Sequence, residues 1–176
     1  MVKPKPDQKI KLEQLRSIVL DLMQDMEIWH EIDTVGLEEI ELGVLRINAT
    51  QRHGVTRWKR GVDVSNLKPS DVQEINIHPH LLEERWNAYA AFVLHHEYIH
   101  ALGFREHDKR FRYMEKSWPG SKAVKHGSEF TEFLRLKNAK WIWSCSTCDK
   151  QFPRKKPSKG MYKCRECNTI LIDKKL

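Results

Sequence analysis

Four cysteines near the end of the chain constrain its fold more than any other feature of the sequence. They form the pattern C-x2-C-x15-C-x2-C, at Cys145, Cys148, Cys164 and Cys167. Two C-x2-C pairs at this spacing deliver four thiolates tetrahedrally to one zinc ion. A disulfide framework is disfavoured because the cytosol keeps thiols reduced, and a thioredoxin-like motif has one such pair in an α/β setting. The spacing therefore predicts a small module with a structural zinc site.

The whole chain has the composition of a globular protein. Hydrophobic residues make up 40% and charged residues 31% of its 176 residues, which suits one domain of ordinary size beside the small module. We place the two domains at residues 1–140 and 141–176. The opening stretch has no apolar segment of the kind found in signal peptides, and no run approaches the roughly 18 apolar residues of a membrane span. We therefore expect a cytoplasmic protein, either free or associated with the nucleoid or chromatin.

The positive charge of the chain is concentrated in the cysteine module. The net charge is +7; residues 141–176 contain nine Lys or Arg and three Asp or Glu, whereas residues 1–140 contain 22 and 21. Such a block attracts polyanions, of which nucleic acid is the commonest. The alternative is a solvated basic surface that only aids solubility.

Before the module, the sequence alternates between helical and strand patterns. Apolar residues recur at helical spacing in the first segment, and a long segment without Gly or Pro has an apolar face and ends at Gly103. Short stretches rich in β-branched residues lie between them. The predicted helices cover 8–29, 81–102, 106–118 and 127–138, and the predicted strands cover 42–49, 53–59 and 74–79.

The long helix carries the motif HEYIH at residues 96–100. On a helix, His96 and His100 differ by about 40° in direction and about 6 Å in rise, so both imidazoles can reach one metal ion. Glu97 is close enough to take a proton from metal-bound water without binding the metal. This is the H-E-x-x-H arrangement of zinc peptidases. His95 has no partner in this pattern, and we expect it to pack in the core or to support a ligand.

A catalytic zinc ion needs a third protein ligand and one open position. His107 would lie about 10 Å beyond His100 on a continuous helix, too far for zinc–nitrogen bonds of about 2 Å. The helix must therefore break between them, and Gly103 is where it can break. Metzincins would place the third histidine at 106, where this chain has glutamate. Glu129, Glu132 and Asp108 could each replace His107 as the third ligand.

The segment HHEYIHALGFREHDKRFRYME resembles the active-site segment of SprT-like (Spartan-related) zinc metallopeptidases. In that family, H-E-x-x-H is followed by a third histidine that opens a helix of the form H-x-x-x-F, and His107 and Phe111 match this second element. The cysteine module is similar to the zinc ribbon that closes many members, and the order of elements agrees over about residues 40–172. Many members have Gly directly after the third histidine, where this chain has Asp108.

The resemblance implies an α+β fold, in which a zincin-like metallopeptidase domain with a small sheet packed on the active-site helix is followed by a zinc ribbon. It implies two zinc ions per chain, a catalytic one at His96, His100 and His107 and a structural one at the four cysteines. Metal-assisted peptide hydrolysis would use Glu97 as the general base. Arg112 and Tyr113 lie near enough in sequence to be considered as stabilisers of the oxyanion.

Eukaryotic members of the family are DNA-dependent proteases that degrade proteins crosslinked to DNA. The resemblance therefore implies protein substrates, and single-stranded or damaged DNA as a partner of the basic ribbon. Basic side chains could neutralise phosphates and tryptophans could stack on bases, although the tryptophans could equally pack the ribbon. The residues in question are Lys155, Lys156, Lys159, Lys163, Arg165, Trp141 and Trp143.

Two other functions are compatible with the same residues. One is a nucleic-acid- or protein-binding adaptor, in which the ribbon binds the partner and a non-catalytic zincin domain serves as scaffold. The other is a general peptidase that does not depend on DNA. Metal content distinguishes the first from an enzyme, and the effect of single-stranded DNA on cleavage distinguishes the second.

Overall fold

The structure, a computed structural model, describes residues 3–120 and 123–176. Within these ranges it is a mixed α+β protein with four α-helices and two three-stranded sheets, which confirms the predicted class. The chain divides into two compact units, Met1–Gly127 and Ser128–Leu176. The division falls inside a helix, whereas the sequence suggested a boundary between residues 140 and 141. None of the described helices combines the length and apolar character needed to cross a membrane.

Four helices form in the described residues, close to their predicted positions. The first buries Leu12, Leu15, Val19 and Met23, which recur at helical spacing, and packs on the second, whereas Ile18 is exposed. The second and third are joined by a short turn that contains Gly103. The helices are α1 (Pro6–Gln24), α2 (Asn87–Ala101), α3 (Lys109–Lys116) and α4 (Ala123–Lys137).

The sheet of the first unit consists of β1 (Leu42–Val44), β2 (Gly54–Trp58) and β3 (Val72–Ile77). β3 lies in the centre, parallel to β1 and antiparallel to β2. Helix α2 packs against β2 and β3, so the H-E-x-x-H motif lies beside an edge strand. The core of this unit is built from apolar residues of α1, α2 and β3, among them Val19, Leu94 and Ile75.

Several predicted elements are shorter than the sequence suggested, and β1 and α2 show why. β1 ends at Val44 instead of residue 49, because its partner β3 ends at Ile77 and offers no further backbone to pair with. α2 begins at Asn87 instead of residue 81. The preceding residues form two 3-10 turns, Pro79–Leu82 and Glu84–Trp86, separated by the extended backbone of Glu83.

The second unit contains the other sheet, made of β4 (Trp141–Ser144), β5 (Gln151–Arg154) and β6 (Ile172–Lys175). β4 lies in the centre and pairs antiparallel with both neighbours. Cys145, Cys164 and Leu171 are buried together, with Trp143 and Phe152 packed against them. The sulfur atoms are thus part of the core that holds this small sheet together.

Candidate metal centres

The turn after α2 brings His107 back toward the histidines of that helix. Gly103 follows α2 with a φ of 95°. The N–H of Gly103 donates to the carbonyl of His100 at 2.8 Å, and the N–H of Phe104 donates to the carbonyl of Ile99 at 3.4 Å. These two hydrogen bonds define a Schellman motif, in which the residue with positive φ is usually glycine. The predicted break at Gly103 is therefore confirmed.

His96, His100 and His107 form one group in the folded chain. Each offers a ring nitrogen, and these atoms all lie within 4.8 Å of one another. The Nε2 atoms of His100 and His107 are 3.1 Å apart. Three nitrogen donors that converge in this way could hold a metal ion.

Hydrogen bonds at Nδ1 orient His96 and His100, the two members of the histidine group that lie on α2. Nδ1 of His96 lies 2.7 Å from Oε1 of Glu115, and Nδ1 of His100 lies 2.8 Å from the carbonyl oxygen of Phe104. A carboxylate and a carbonyl only accept, so each Nδ1 carries the proton and donates. Burial lowers the pKa of His100 to about 4, which favours this neutral form. Both Nε2 atoms then have the free lone pair that metal binding requires.

Glu115, on α3, is held by two positively charged or proton-donating partners. Arg112 donates from Nη1 to Oε2 of Glu115 at 2.7 Å, while His96 occupies the other oxygen. Burial raises the pKa of Glu115, but these hydrogen bonds outweigh it and lower the pKa to about 2. Arg112, a candidate for stabilising the oxyanion, is thus engaged with Glu115, and Tyr113 lies exposed on α3.

Asp108 and Phe111, close to His107 in the sequence, support the histidine group. Asp108 is the N-cap of α3, and its Oδ1 accepts a hydrogen bond from the N–H of Phe111 at 2.8 Å. Phe111 is fully buried, and its ring centroid lies between 4.6 and 4.9 Å from those of all three imidazoles. Asp108 therefore has a role in ending the turn and starting the helix. Glu129 and Glu132, two further candidates for the third ligand, belong to the second unit and are not members of the histidine group.

Glu97 is buried between α2 and β2, with 5% of its surface exposed. The hydroxyl of Thr56 lies 2.8 Å from Oε2 of Glu97 and 3.0 Å from its backbone oxygen. Burial raises the pKa of Glu97, while the electrostatic interaction with His96 and hydrogen bonds from Thr56 lower it. A carboxylate with a raised pKa next to a metal site is the kind of group that acts as a general base.

Glu97 and the three histidines line one cleft, with a volume of about 340 Å³. Residues of β2 and two cations complete its lining: Gly54, Val55, Thr56, Trp58, Arg52 and Arg105. A larger groove of about 570 Å³ lies between α1 and α2. Its lining is mainly apolar, and it contains neither of the two groups of side chains that could hold a metal ion among the described residues.

His95 lies outside the metal group, as the helix geometry predicts. It is fully buried, with its ring 5.5 Å from that of Trp29 and 4.6 Å from that of Trp118. Burial lowers its pKa to about 3. His95 therefore packs in the core as a neutral aromatic ring.

The four cysteines form a second group that could hold a metal ion. Their sulfur atoms lie within 4.8 Å of one another, and the Sγ atoms of Cys148 and Cys164 are 3.8 Å apart. Backbone N–H groups of Thr147 and Cys148 lower the pKa of Cys145 to about 6. Hydrogen bonding with Cys148 raises the pKa of Cys167 to about 12. Four sulfurs gathered this closely cannot all be thiolates unless a cation balances their charge.

The two C-x2-C turns have the same backbone construction. The N–H of Asp149 donates to the carbonyl of Cys145 at 3.0 Å, and the N–H of Asn168 donates to that of Cys164 at 2.9 Å. Asp149 and Asn168 both have a φ of 55°, a conformation that Asn and Asp adopt more readily than other non-glycine residues. The polar residue after each second cysteine thus closes the turn that presents the sulfurs.

The basic residues predicted to contact nucleic acid, namely Lys155, Lys156, Lys159, Lys163 and Arg165, are all exposed. Three of them lie in the loop that follows β5. Asp173 on β6 anchors this loop, since its carboxylate accepts hydrogen bonds from the N–H groups of Ser158 at 2.6 Å and Lys159 at 2.8 Å. The positive charges are therefore presented by a loop with a defined backbone.

The tryptophans of β4 are partly buried. Trp143 packs on the core of the second unit, and its Nε1 donates to the carbonyl of Lys156 at 2.9 Å. Its ring stacks on Tyr162 at 4.7 Å, and the guanidinium of Arg154 lies 5.0 Å from its centroid. Tyr162 is half exposed, so it is the more accessible ring of the stacked pair. Trp141 lies on the same strand and is also partly buried.

Several residues around the histidine site were not identified from the sequence. Glu115 lies four residues after Phe111 on α3, and Gly54 and Thr56 alternate on β2, so each position is regular within its own element. Their relation to His96 and Glu97 depends on how α3 and β2 pack on α2. Spacing within an element does not contain that information.

Comparisons with known proteins place the chain in no established group. No protein-family model matches it, nor does any curated protein or solved structure.

Proposed function

We propose that the protein is a zinc-dependent endopeptidase of the SprT-like type. One observation carries the proposal: three histidine nitrogens converge in the same cleft as a buried glutamate, and the sequence order is H-E-x-x-H followed by His107. A glutamate that lines the same cleft as the ligands, without belonging to their group, is the arrangement that metal-assisted peptide hydrolysis requires.

The donor set favours zinc. Three imidazoles and one remaining position are typical of catalytic zinc sites. Two nitrogens bound tetrahedrally at about 2.05 Å lie about 3.3 Å apart, close to the 3.1 Å between the Nε2 atoms of His100 and His107. Two sulfurs bound tetrahedrally at about 2.3 Å lie about 3.8 Å apart, as the Sγ atoms of Cys148 and Cys164 do. We therefore propose one catalytic and one structural zinc ion per chain.

Each residue of the cleft has a defined task in the proposed reaction. Zinc held by His96, His100 and His107 would supply Lewis-acid chemistry for the scissile carbonyl and the attacking water. Glu97 takes a proton from the attacking water and passes it to the leaving amine. Glu115 holds His96 in the tautomer with a free Nε2 lone pair, and the carbonyl of Phe104 does the same for His100.

We further propose that DNA is a partner and that DNA-bound or DNA-crosslinked proteins are substrates. The support is the exposed basic loop that contains Lys155, Lys156 and Lys159, with the half-exposed ring of Tyr162. Loops of this kind bind single strands through phosphate contacts and stacking. The resemblance to SprT-like proteases points to the same partner.

The test compares protein cleavage by the wild type and by Glu97→Gln, with and without single-stranded DNA. We expect Glu97→Gln to lower the rate by about 10²–10⁴-fold, the usual contribution of a general base, and to leave the zinc content at two per chain. Cleavage that is indifferent to Glu97→Gln would exclude the proposed mechanism. Cleavage that is indifferent to DNA would exclude the DNA-dependent function and leave the peptidase.

The second candidate is an adaptor in which the ribbon binds nucleic acid or protein and the first unit is a non-catalytic scaffold. The exposed basic loop favours it, because this surface could act alone. One zinc ion per chain, together with DNA binding and no cleavage, would support the adaptor.

A further inference from the structure

We propose that Gly54 and Thr56 on β2 position the carboxylate of Glu97. The inference rests on the proposed function, in which Glu97 is the general base. It concerns two residues that bind neither metal nor substrate in our account. They act through Glu97, by fixing where its carboxylate lies relative to the histidine group.

Thr56 holds one oxygen of the carboxylate. Its hydroxyl lies 2.8 Å from Oε2 of Glu97 and 3.0 Å from the backbone oxygen of the same residue. The hydroxyl therefore touches both ends of the glutamate, its main chain and its head group. Because only 5% of the surface of Glu97 is exposed, its carboxylate must find such partners within the protein.

Gly54 leaves the space that the other oxygen occupies. A Cβ on residue 54 would lie 2.5 Å from Oε1 and 2.8 Å from Cγ of Glu97, and 2.8 Å from Cγ1 of Val93. Real Cβ atoms do not approach other atoms so closely, so any other residue here must displace the glutamate. The φ of Gly54 is not in the left-handed region, so lack of a side chain is the property that this position requires.

The two residues act from the same face of one strand. Residues 54 and 56 are separated by two positions on β2, and successive side chains of a strand point to opposite faces. Gly54 has no side chain and Thr56 supplies a hydroxyl, so the carboxylate of Glu97 is confined between these two residues. Loss of the Thr56 hydroxyl, or a side chain added at residue 54, therefore moves the carboxylate of Glu97 without removing any metal ligand.

The functional test uses Thr56→Val and Thr56→Ser in the full-length, zinc-loaded protein. Valine keeps the shape and removes the hydroxyl, so we expect kcat to fall about 10–100-fold, the usual effect of residues that orient a site, with KM and zinc content unchanged. Serine keeps the hydroxyl, so its kcat should stay within about threefold of the wild type. If Thr56 only stabilised the fold, Thr56→Val would lower the melting temperature and leave kcat unchanged.

The structural test does not depend on activity. Crystal structures of zinc-loaded Gly54→Ala and Thr56→Val should show the Glu97 carboxylate displaced from its wild-type position while three histidines still bind zinc. The atoms that the new Cβ meets belong to side chains, so Gly54→Ala should fold. Gly54→Ala with Val93→Ala relieves the contact with Val93 alone, so the carboxylate should remain displaced.

The outcomes separate this inference from the proposed function. If the Glu97 carboxylate keeps its wild-type position in both Gly54→Ala and Thr56→Val, the inference is overturned, whatever the activity of these variants. Full activity of Thr56→Val together with an inactive Glu97→Gln also overturns it and leaves the peptidase intact. An active Glu97→Gln overturns the proposed function instead.

Discussion

At the scale of single residues, the role of each histidine follows from what surrounds its two nitrogens. His95 packs between Trp29 and Trp118 and stays neutral. His96 and His100 each donate from Nδ1 to an oxygen, which leaves Nε2 for a metal ion. Adjacent residues in the same helix thus have opposite roles, because a step of one residue rotates the side chain by about 100°.

Glu115 should control the affinity of the histidine site for zinc. Its hydrogen bond to Nδ1 orients the ring of His96 and fixes its tautomer. We expect Glu115→Gln to weaken zinc binding at this site about 10–100-fold, measured by competition with a chelator of known affinity. Glu31→Gln, at an exposed position, is the control for loss of a charge and should bind zinc like the wild type. Equal affinities for all three proteins would contradict this role.

His78 should make the first unit less stable in mild acid. It is fully buried, its Nε2 lies 3.2 Å from the carbonyl oxygen of Ala49, and burial lowers its pKa from 6.5 to about 4. The unfolded chain therefore binds a proton more readily than the folded one. The stability contributed by neutral His78 is complete above about pH 6.5 and declines as the pH falls toward 4, by up to about 3 kcal/mol.

The measurement is the free energy of unfolding in urea at pH 7.5 and at pH 5, for the wild type and for His78→Gln. Glutamine does not titrate, so the variant should lose less stability between the two pH values than the wild type does. An identical loss in both proteins would show that His78 does not contribute to the acid sensitivity.

At the scale of elements, the site depends on the turn between α2 and α3. The sequence predicted a break at Gly103 because a continuous helix would carry His107 out of reach, and the Schellman motif is that break. The sequence could not predict the start of α2 or the end of β1. The extended backbone of Glu83 prevents α2 from beginning at residue 81, and the end of β3 limits the length of β1. Both boundaries therefore depend on residues outside the element.

Gly103→Ala should damage the histidine site through the backbone. Residue 103 has a φ of 95°, and a Cβ there would lie 2.9 Å from the carbonyl oxygen of Leu67. We expect a loss of about 1–2 kcal/mol from the backbone conformation alone, with a further loss from the close contact, and weaker zinc binding by His107. Gly61→Ala is the matched control, because Gly61 has a φ of 77° with nothing near its Cβ position. If Gly103→Ala and Gly61→Ala lower the free energy of unfolding equally, the close contact with Leu67 has no effect.

At the scale of the whole molecule, the two units differ in what stabilises them. The first buries apolar residues of α1, α2 and β3, and those of α1 and β3, such as Leu12, Val19 and Ile75, lie far along the chain from His96, His100 and His107. In the second, Cys145 and Cys164 are themselves part of the core, together with Leu171 and other buried apolar residues. The H-E-x-x-H and C-x2-C motifs predicted His96, His100 and the four cysteines, whereas spacing alone left His107 with alternatives as the third ligand. The support of Glu97 by β2 was not predictable, since it depends on tertiary packing.

Removal of metal should therefore unfold the two units differently. With a strong chelator, amide signals of residues 141–176 in an NMR spectrum should lose their dispersion, because the charges of the thiolates are no longer balanced. Signals of α1 and β3 should keep their dispersion, and addition of zinc should restore the rest. Dispersed signals for residues 141–176 in the metal-free protein would contradict a structural role for the cysteine site.

We propose that His96, His100, His107 and Glu97 form a catalytic zinc site. The most direct test measures zinc per chain and the rate of protein cleavage together, for the wild type, His107→Ala and Glu97→Gln. We predict two zinc ions and cleavage for the wild type, less than two and no cleavage for His107→Ala, and two zinc ions with cleavage slowed about 10²–10⁴-fold for Glu97→Gln. Cleavage by Glu97→Gln at the rate of the wild type would contradict the account.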